Sequence, residues 1–358
     1  MQFDRFDLLA RVVEGHGRAR YDLSSSDMPG YRLSEVGGLS DCSLAENHVG
    51  GGEPLRAELA RIYGGQPEDY LVTAGASEAN FAVCAALVSP GDRVLVERPT
   101  YQPLETIPRG LGAAVTRLLR KEADGYRLTC DDVRSVLPEG LRLLILTNLN
   151  NPTGVALDPK DVQGIADLAA ERGFYVLVDE IFRELAFGAE TPTIGGLNER
   201  TIVTSSVSKF YGAGGLKIGW IRATATVRAR IQSVLDYLSG TPAGPSERIA
   251  LALLRDRAKT VDRNRRLIED GRKAASEWAS SEPDLAWQEP VAHLTFPGVG
   301  GDTARLAEIL LREYDTFIAP GESFELPGHF RLNIGTGAEP LREGLARVSK
   351  ARAALKQR

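Results

Sequence analysis

Ser205 to Trp220 reads SSVSKFYGAGGLKIGW. An apolar run that begins at Thr201, TIVTSSVS, ends in serines. One lysine follows, Lys209, and then glycines at positions 212, 214, 215 and 219. This pattern puts an amine just beyond a strand and lets backbone approach closely on its far side, because glycine has no side chain to hold neighbours away.

Upstream, four more short runs share the character of TIVTSSVS: DYLVTAG (69–75), DRVLVERP (92–99), LRLLILTNLN (141–150) and FYVLVDE (174–180). They are rich in Val, Ile and Leu and most are apolar on both faces, which fits strands covered on both sides. Between the last two runs, Asp158 is placed to cap a helix with Pro159 in its first turn, and Gly173 to stop it. Repetition of this βαβ unit implies an α/β fold with a mostly parallel sheet and helices on both faces. After about residue 225 charged helical stretches take over, with short β-like runs at AHLTFPGV and HFRLNIG, which suggests a smaller α+β domain. The expected division is 1–44 as an N-terminal segment packing with the small domain, 45–235 as the large domain and 236–358 as the small one.

Composition removes several classes of function. The 358 residues carry a net charge of −5, and no block of Lys or Arg stands out. An affinity for nucleic acid resting on a basic face is therefore not expected. MQFDRFDLLARVVEGHGR carries charges throughout, unlike a signal peptide, and no run reaches membrane-spanning length, so no membrane partner is expected and a cytoplasmic location is. Cys42, Cys84 and Cys130 are far apart and odd in number, which fits reduced thiols. The four histidines, His16, His48, His293 and His329, show no metal-binding spacing, and no metal is expected.

In an open α/β sheet, ligands bind beyond the carboxyl ends of the strands. Here those ends carry TAGASEA (73–79), ERPTYQ (97–102), NLNNPTG (148–154), VDEIF (178–182) and SSVSK (205–209). A phosphate-bearing aromatic aldehyde asks for a lysine amine, a carboxylate for its ring nitrogen, amides and hydroxyls for its phosphate and an aromatic ring for its face. Each has a candidate.

The NNPTG loop, the DEIF strand end and SVSKFYGAGGLKIGW, in that order, resemble the class I/II aminotransferases, pyridoxal-phosphate enzymes of fold type I. Asp179 lies 28 residues after Asn151 and Lys209 30 after Asp179, spacing usual for that family. The resemblance covers nearly the whole chain. It implies pyridoxal 5'-phosphate as cofactor, a large domain with a seven-stranded sheet sandwiched by helices, and a homodimer taking an amino acid and a 2-oxo acid.

By that resemblance Lys209 would form the internal Schiff base and move the substrate proton, and Asp179 would pair with the ring nitrogen. Asn151 would bond the ring's phenolic oxygen and help bind substrate, and Tyr101 would stack on the ring. Gly75, Ala76, Ser77 and Ser206 would meet the phosphate. Arg331 would grip the substrate carboxylate as a bidentate fork.

Two positions depart from the family pattern. Phe182 stands where most members have a tyrosine that bonds the cofactor oxygen, and Lys217 stands where an arginine usually holds the phosphate. His48 lies where a tyrosine often reaches the neighbouring subunit's phosphate; a surface-loop histidine is the plainer reading. Ser24 to Tyr31 is the candidate gate to the side-chain pocket. Transfer of an amino group is the expected reaction. The alternative is elimination, replacement or cyclisation, because YDLSSSDMPGYRLSEVGGL (21–39) resembles a compact subgroup that includes capreomycidine synthase, a cyclase acting on a hydroxylated arginine.

Overall fold

The computed structural model describes residues 2–15, 17–37, 42–187, 190–282 and 284–356. His16 and the end of the 21–39 stretch lie outside the described residues. Strands are numbered in chain order. The first, β1 (Tyr21–Asp22), is in the N-terminal segment. Seven form the main sheet: β2 (Tyr70–Thr73), β3 (Arg93–Arg98), β4 (Ala114–Leu119), β5 (Leu141–Thr147), β6 (Tyr175–Asp179), β7 (Thr201–Ser206) and β8 (Gly219–Arg222). The last four are β9 (Leu294–Thr295), β10 (Thr316–Phe317), β11 (Ala319–Pro320) and β12 (Phe330–Asn333).

The main sheet runs in the order β2-β8-β7-β6-β5-β3-β4, and only β8 is antiparallel to its neighbours. The central strands are buried on both faces, as their sequences require. Along β5, Leu143 and Ile145 pack on one side with Ala79, Val83 and Ile231, while Leu144 and Leu146 pack on the other with Val162, Ile165 and Leu168. This is the two-residue alternation of a pleated strand, here apolar in both phases because helices cover both sides. The α/β architecture expected from the sequence is present.

Two strands escape the sequence reading, for opposite reasons. Most of β4 faces solvent at the sheet edge, so AVTRLL lacks an apolar run. In β8 only four residues pair, directly behind the glycine-rich loop that dominates the reading there. A smaller correction concerns Asp158. It occupies the N-cap position of helix Pro159–Arg172, but its carboxylate caps nothing and instead accepts from Arg127 at 2.6 Å.

Helix Ala225–Leu235 packs on helix Ala76–Leu87 and so extends the cover of the main sheet. Beyond it, helices Gly244–Arg255 and Arg257–Ser281 lead to an antiparallel three-stranded sheet, β11-β12-β9, with helices Thr303–Glu313 and Ala338–Lys356. Strand β1 runs parallel to β10, which fixes residues 21–22 to the C-terminal part of the chain. In the three-stranded sheet Arg331 of β12 lies between β9 and β11, and it reaches Asn151 in the loop after β5.

Candidate active site

At the end of β6, Asp179 is 5% exposed. Its carboxylate accepts from Asn80 Nδ2 at 2.8 Å and from the Ile181 N–H at 3.1 Å. Asn80 is itself held by Thr204 Oγ1 at 2.6 Å. Burial raises the Asp179 pKa from an ordinary 3.8 to about 6, while these hydrogen bonds and the Lys209 ammonium act in the opposite direction. A buried carboxylate of this kind fits a cationic N–H partner from a ligand.

Lys209 follows β7. Its Nζ donates to Ser26 Oγ at 2.9 Å and forms an ion pair with Asp27. Both partners belong to the Ser24–Tyr31 stretch, so the candidate gate reaches the lysine itself. Asp22 fixes the start of that stretch, accepting from the N–H groups of Ser24 and Ser25 and from the Ser24 hydroxyl. The Asn333 side chain donates to the Asp27 carbonyl at 3.0 Å.

Arg331 is buried, with Nη1 donating to Asn151 Oδ1 at 3.0 Å and Nη2 to the Ser24 carbonyl at 2.6 Å. Its Nε has no hydrogen-bond partner among the described residues. A buried guanidinium N–H without an acceptor costs stability, and a substrate carboxylate would supply the acceptor. Burial lowers the Arg331 pKa from 12.5 to about 10, which leaves it charged at neutral pH.

The loop that carries Asn151 hangs from a buried ion pair. Glu97 Oε2 accepts from Arg120 Nε at 2.8 Å, and Glu97 Oε1 takes the Thr147 N–H at 2.6 Å and Asn150 Nδ2 at 3.1 Å. Asn150 in turn accepts from Thr153 Oγ1 at 2.7 Å, which closes the turn. These bonds tie the loop to the ends of β3 and β5.

A turn with the geometry to receive a phosphate lies between β2 and β7. Gly75, at φ +86°, precedes helix Ala76–Leu87 and brings no side chain to cap it, so the first-turn N–H groups are available. Gly219 of β8 pairs with both Thr73 and Ser206. A Cβ on Gly219 would lie 2.5 Å from the Gly75 carbonyl carbon and 2.8 Å from the Ala76 nitrogen. Gly219→Ala is therefore expected to push the 75–76 turn out of place, costing about 1–3 kcal/mol of stability as overpacked sites do. Thermal unfolding and cofactor titration check this; a variant matching the wild type in both would refute the role given to the close approach.

The remaining expected residues fall around the same mouth with some differences. Ser77 is exposed at the helix start, and Ser206 is buried with its hydroxyl 2.5 Å from that of Ser208. The Tyr101 ring is met edge-on by Phe6 at 5.2 Å, and burial raises its phenol pKa against a hydrogen bond with Ser77. Phe182 is buried and tilts against His293, with ring centroids 4.9 Å apart. Lys217 adopts the left-handed conformation, φ +53°, and its exposed ammonium makes no hydrogen bond or ion pair among the described residues. His48 is not among the Lys209 contacts; its ring stands 3.6 Å from Glu247 and 3.8 Å from Glu46.

Asn80, Ser26, Asp27 and His293 belong to the site but were not singled out one by one from the sequence. His293 Nε2 meets the Ser26 carbonyl at 3.0 Å, its Nδ1 has no partner among the described residues, and burial lowers its pKa from 6.5 to about 3. A phosphate cradle, an amine, a buried carboxylate and an aromatic ring around one mouth fit pyridoxal phosphate. Among the described residues no cluster of three or more His, Cys, Asp or Glu side chains is placed to hold a metal, and no helix is long and apolar enough to cross a membrane.

Comparison with known proteins gives the chain its family. The family of class I and II aminotransferases matches residues 48–348. An aspartate aminotransferase of Streptomyces avermitilis is 26% identical over 96% of this chain and 92% of its own length. Capreomycidine synthase of Streptomyces vinaceus is 27% identical over 94% of this chain and 91% of its own. The crystal structure of a PLP-dependent aminotransferase from Streptococcus suis superposes with a TM-score of 0.92 at 26% identity, covering 99% of both chains. A chain with this sheet, this order of motifs and these relatives belongs to the class I and II aminotransferases and is a pyridoxal-phosphate-dependent enzyme of fold type I.

Proposed function

We propose that the protein transfers the amino group of an L-amino acid to a 2-oxo acid, with Lys209 as the residue that binds the cofactor covalently. The observation that carries this reading is the shared mouth of Lys209, buried Asp179 and the Arg331–Asn151 pair, with Arg331 Nε left free to receive a carboxylate. Pyridoxal phosphate supplies an electron sink that stabilises negative charge at the substrate α-carbon.

The chain's own groups do the rest. Arg331 orients the amino acid by its carboxylate. Asp179, held by Asn80, would pair with the ring nitrogen and favour its protonated form. With its Oδ1 occupied by Arg331, Asn151 has an amide N–H to offer the ring oxygen. Lys209 Nζ would take the proton lost from the substrate α-carbon and deliver it to the cofactor carbon that receives the amino group. Gly75, Ala76, Ser77 and Ser206 hold the phosphate, with Lys217 as a weaker charge than the usual arginine because it lacks the planar fork. Tyr101, backed by Phe6, would stack on the ring.

Cyclisation or elimination is the second reading, favoured by the similarity to capreomycidine synthase along 94% of the chain. The site also lacks a phenol at Phe182, so hydrogen bonding to the ring oxygen falls to Asn151. Both readings use the same acid and base.

The division into an N-terminal segment 1–44, a large domain 45–235 and a small domain 236–358 is part of the proposal, supported by the pairing of β1 with β10. So is a homodimer. Tyr237, 91% exposed, together with exposed Leu44, Val49 and Leu238, leaves apolar surface that a second copy would cover. A cytoplasmic location rests on the three free cysteines.

The test records the absorption spectrum of the cofactor-loaded protein before and after each common amino acid, with products identified. Conversion to the amine form of the cofactor with release of a 2-oxo acid is expected. Cyclised or eliminated products, without amine-form cofactor, would replace transfer by the second reading.

A further inference from the structure

Residues 24–28 form a strap that touches Lys209 on one side and is held by the C-terminal part of the chain on the other. Three buried side chains fix its carbonyls: Arg331 Nη2 donates to Ser24 at 2.6 Å, His293 Nε2 meets Ser26 at 3.0 Å and Asn333 Nδ2 donates to Asp27 at 3.0 Å. The Asp27 N–H donates to Ser25 Oγ at 3.1 Å, and the Met28 N–H donates to the Lys209 carbonyl at 3.2 Å. Packing is close at the same place, since a Cβ on Gly212 would stand 2.5 Å from the Pro29 carbonyl oxygen and 2.7 Å from that of Met28. Asp27 is therefore placed against Lys209 by its backbone, and not by the attraction of the two charges alone.

Among the described residues Asp27 is the one carboxylate within ion-pair distance of Lys209 Nζ. Other ionisable groups face this space from several elements. Asp179 on β6 and His293 act on the lysine from farther away, and Asp27 itself acts on Arg331 of β12, on His293 and on Tyr101. Asp22 also faces Arg331 and holds the start of the strap. None of these does the work of Asp27. Asp179 is assigned to the ring nitrogen on the reading above, burial lowers the His293 pKa to about 3 and keeps the ring neutral, and Arg331 carries the wrong sign. Ser26 Oγ accepts from Nζ at 2.9 Å but brings no charge.

We propose that Asp27 holds positive charge on the Lys209 nitrogen, both while the cofactor is attached there and after the lysine has taken the substrate's α-proton. This rests on the reading that Lys209 carries the cofactor. A proton on the attached nitrogen draws electrons from the adjoining carbon and opens it to an incoming amine. In the later step the α-carbon–hydrogen bond breaks, its electron pair stays with the substrate, and the proton forms a new N–H bond on Lys209. The ammonium so formed meets Asp27, which lowers the cost of making it. An opposite charge this close shifts a proton equilibrium by about one to three pH units. With the Asp27 side chain 45% exposed, solvent screening favours the lower end of that range.

The test compares the wild type with Asp27→Asn, Asp27→Glu and Ser26→Ala by two measurements. In cofactor-loaded protein the absorption spectrum is recorded against pH, and the midpoint of the change in the cofactor band reports loss of the proton from the attached nitrogen. Asp27→Asn is expected to lower that midpoint by about one unit, a tenfold change in the equilibrium, and Asp27→Glu to restore part of it. Ser26→Ala, which keeps the charge, should stay close to the wild type. In cofactor-free protein, brief labelling with acetic anhydride followed by peptide mass analysis compares Lys209 with exposed Lys217. An ammonium does not attack the reagent, so Asp27→Asn should label Lys209 about tenfold faster relative to Lys217. An unchanged midpoint in Asp27→Asn, an equal fall in Ser26→Ala, or labelling that does not respond to Asp27→Asn would each overturn the proposal. Absence of any cofactor band in the wild type, with the labelling difference present, would instead overturn Lys209 as the attachment residue and leave its pairing with Asp27 standing.

Discussion

Lys209→Ala is expected to abolish covalent attachment of the cofactor and to slow amino transfer at least about a thousandfold. Two roles are lost at once, the nucleophilic amine and the proton carrier, and proton transfer alone contributes about 10²–10⁴-fold in such sites. Binding of the cofactor should survive in part. The phosphate cradle between Gly75 and Gly219 and the Asp179 carboxylate do not depend on the lysine side chain for their positions. Borohydride treatment followed by peptide mass analysis separates these effects: the wild type should carry reduced cofactor on Lys209 and the variant should carry none. Lys217→Ala serves as the contrast, because that exposed lysine should leave the attachment intact. Reducible attachment in the alanine variant at position 209 would show that a different amine does the work.

The order of the motifs made the sheet legible, because central strands covered on both faces must be apolar in both phases. Residues 143–146 display this directly, alternating between the two helical layers. Strand β4 stayed hidden because an edge strand is under no such requirement. The site divides along a similar line. Lys209, Asp179, Asn151 and Arg331 stand out because each is a polar group within an apolar strand, at its end or a few residues beyond it. Asn80 does not, since one polar residue inside helix Ala76–Leu87 carries no mark of the carboxylate it supports. Asp27 and His293 are hidden for a further reason. They reach Lys209 or its neighbours from opposite ends of the chain, 182 residues upstream in the case of Asp27, and no local pattern encodes that meeting.

The cofactor-free protein is expected to lose stability as pH rises through the range where Asp179 ionises, and Asp179→Asn is expected to remove that loss. In the unfolded chain this carboxyl releases its proton near 3.8; in the folded protein burial delays release to about 6. The folded state thus holds the proton more tightly, so the stability tied to it is complete below about pH 4 and disappears between about pH 4 and 6. A difference of about two units corresponds to about 3 kcal/mol. His293 acts in the reverse sense, since its lowered pKa penalises the folded state as pH falls below 6.5. The raw pH profile therefore mixes the two, and the difference between wild type and Asp179→Asn isolates the carboxylate. Denaturant unfolding of both proteins from pH 4 to 8 measures it: the wild type should fall relative to the variant as pH rises. Parallel profiles would contradict the burial account of Asp179. Loading with pyridoxal phosphate should close the gap above pH 6, because a ring N–H⁺ facing Asp179 gives the ionised carboxylate the partner that burial denies it. The same group that weakens the empty protein at neutral pH then becomes a reason for the cofactor to stay bound.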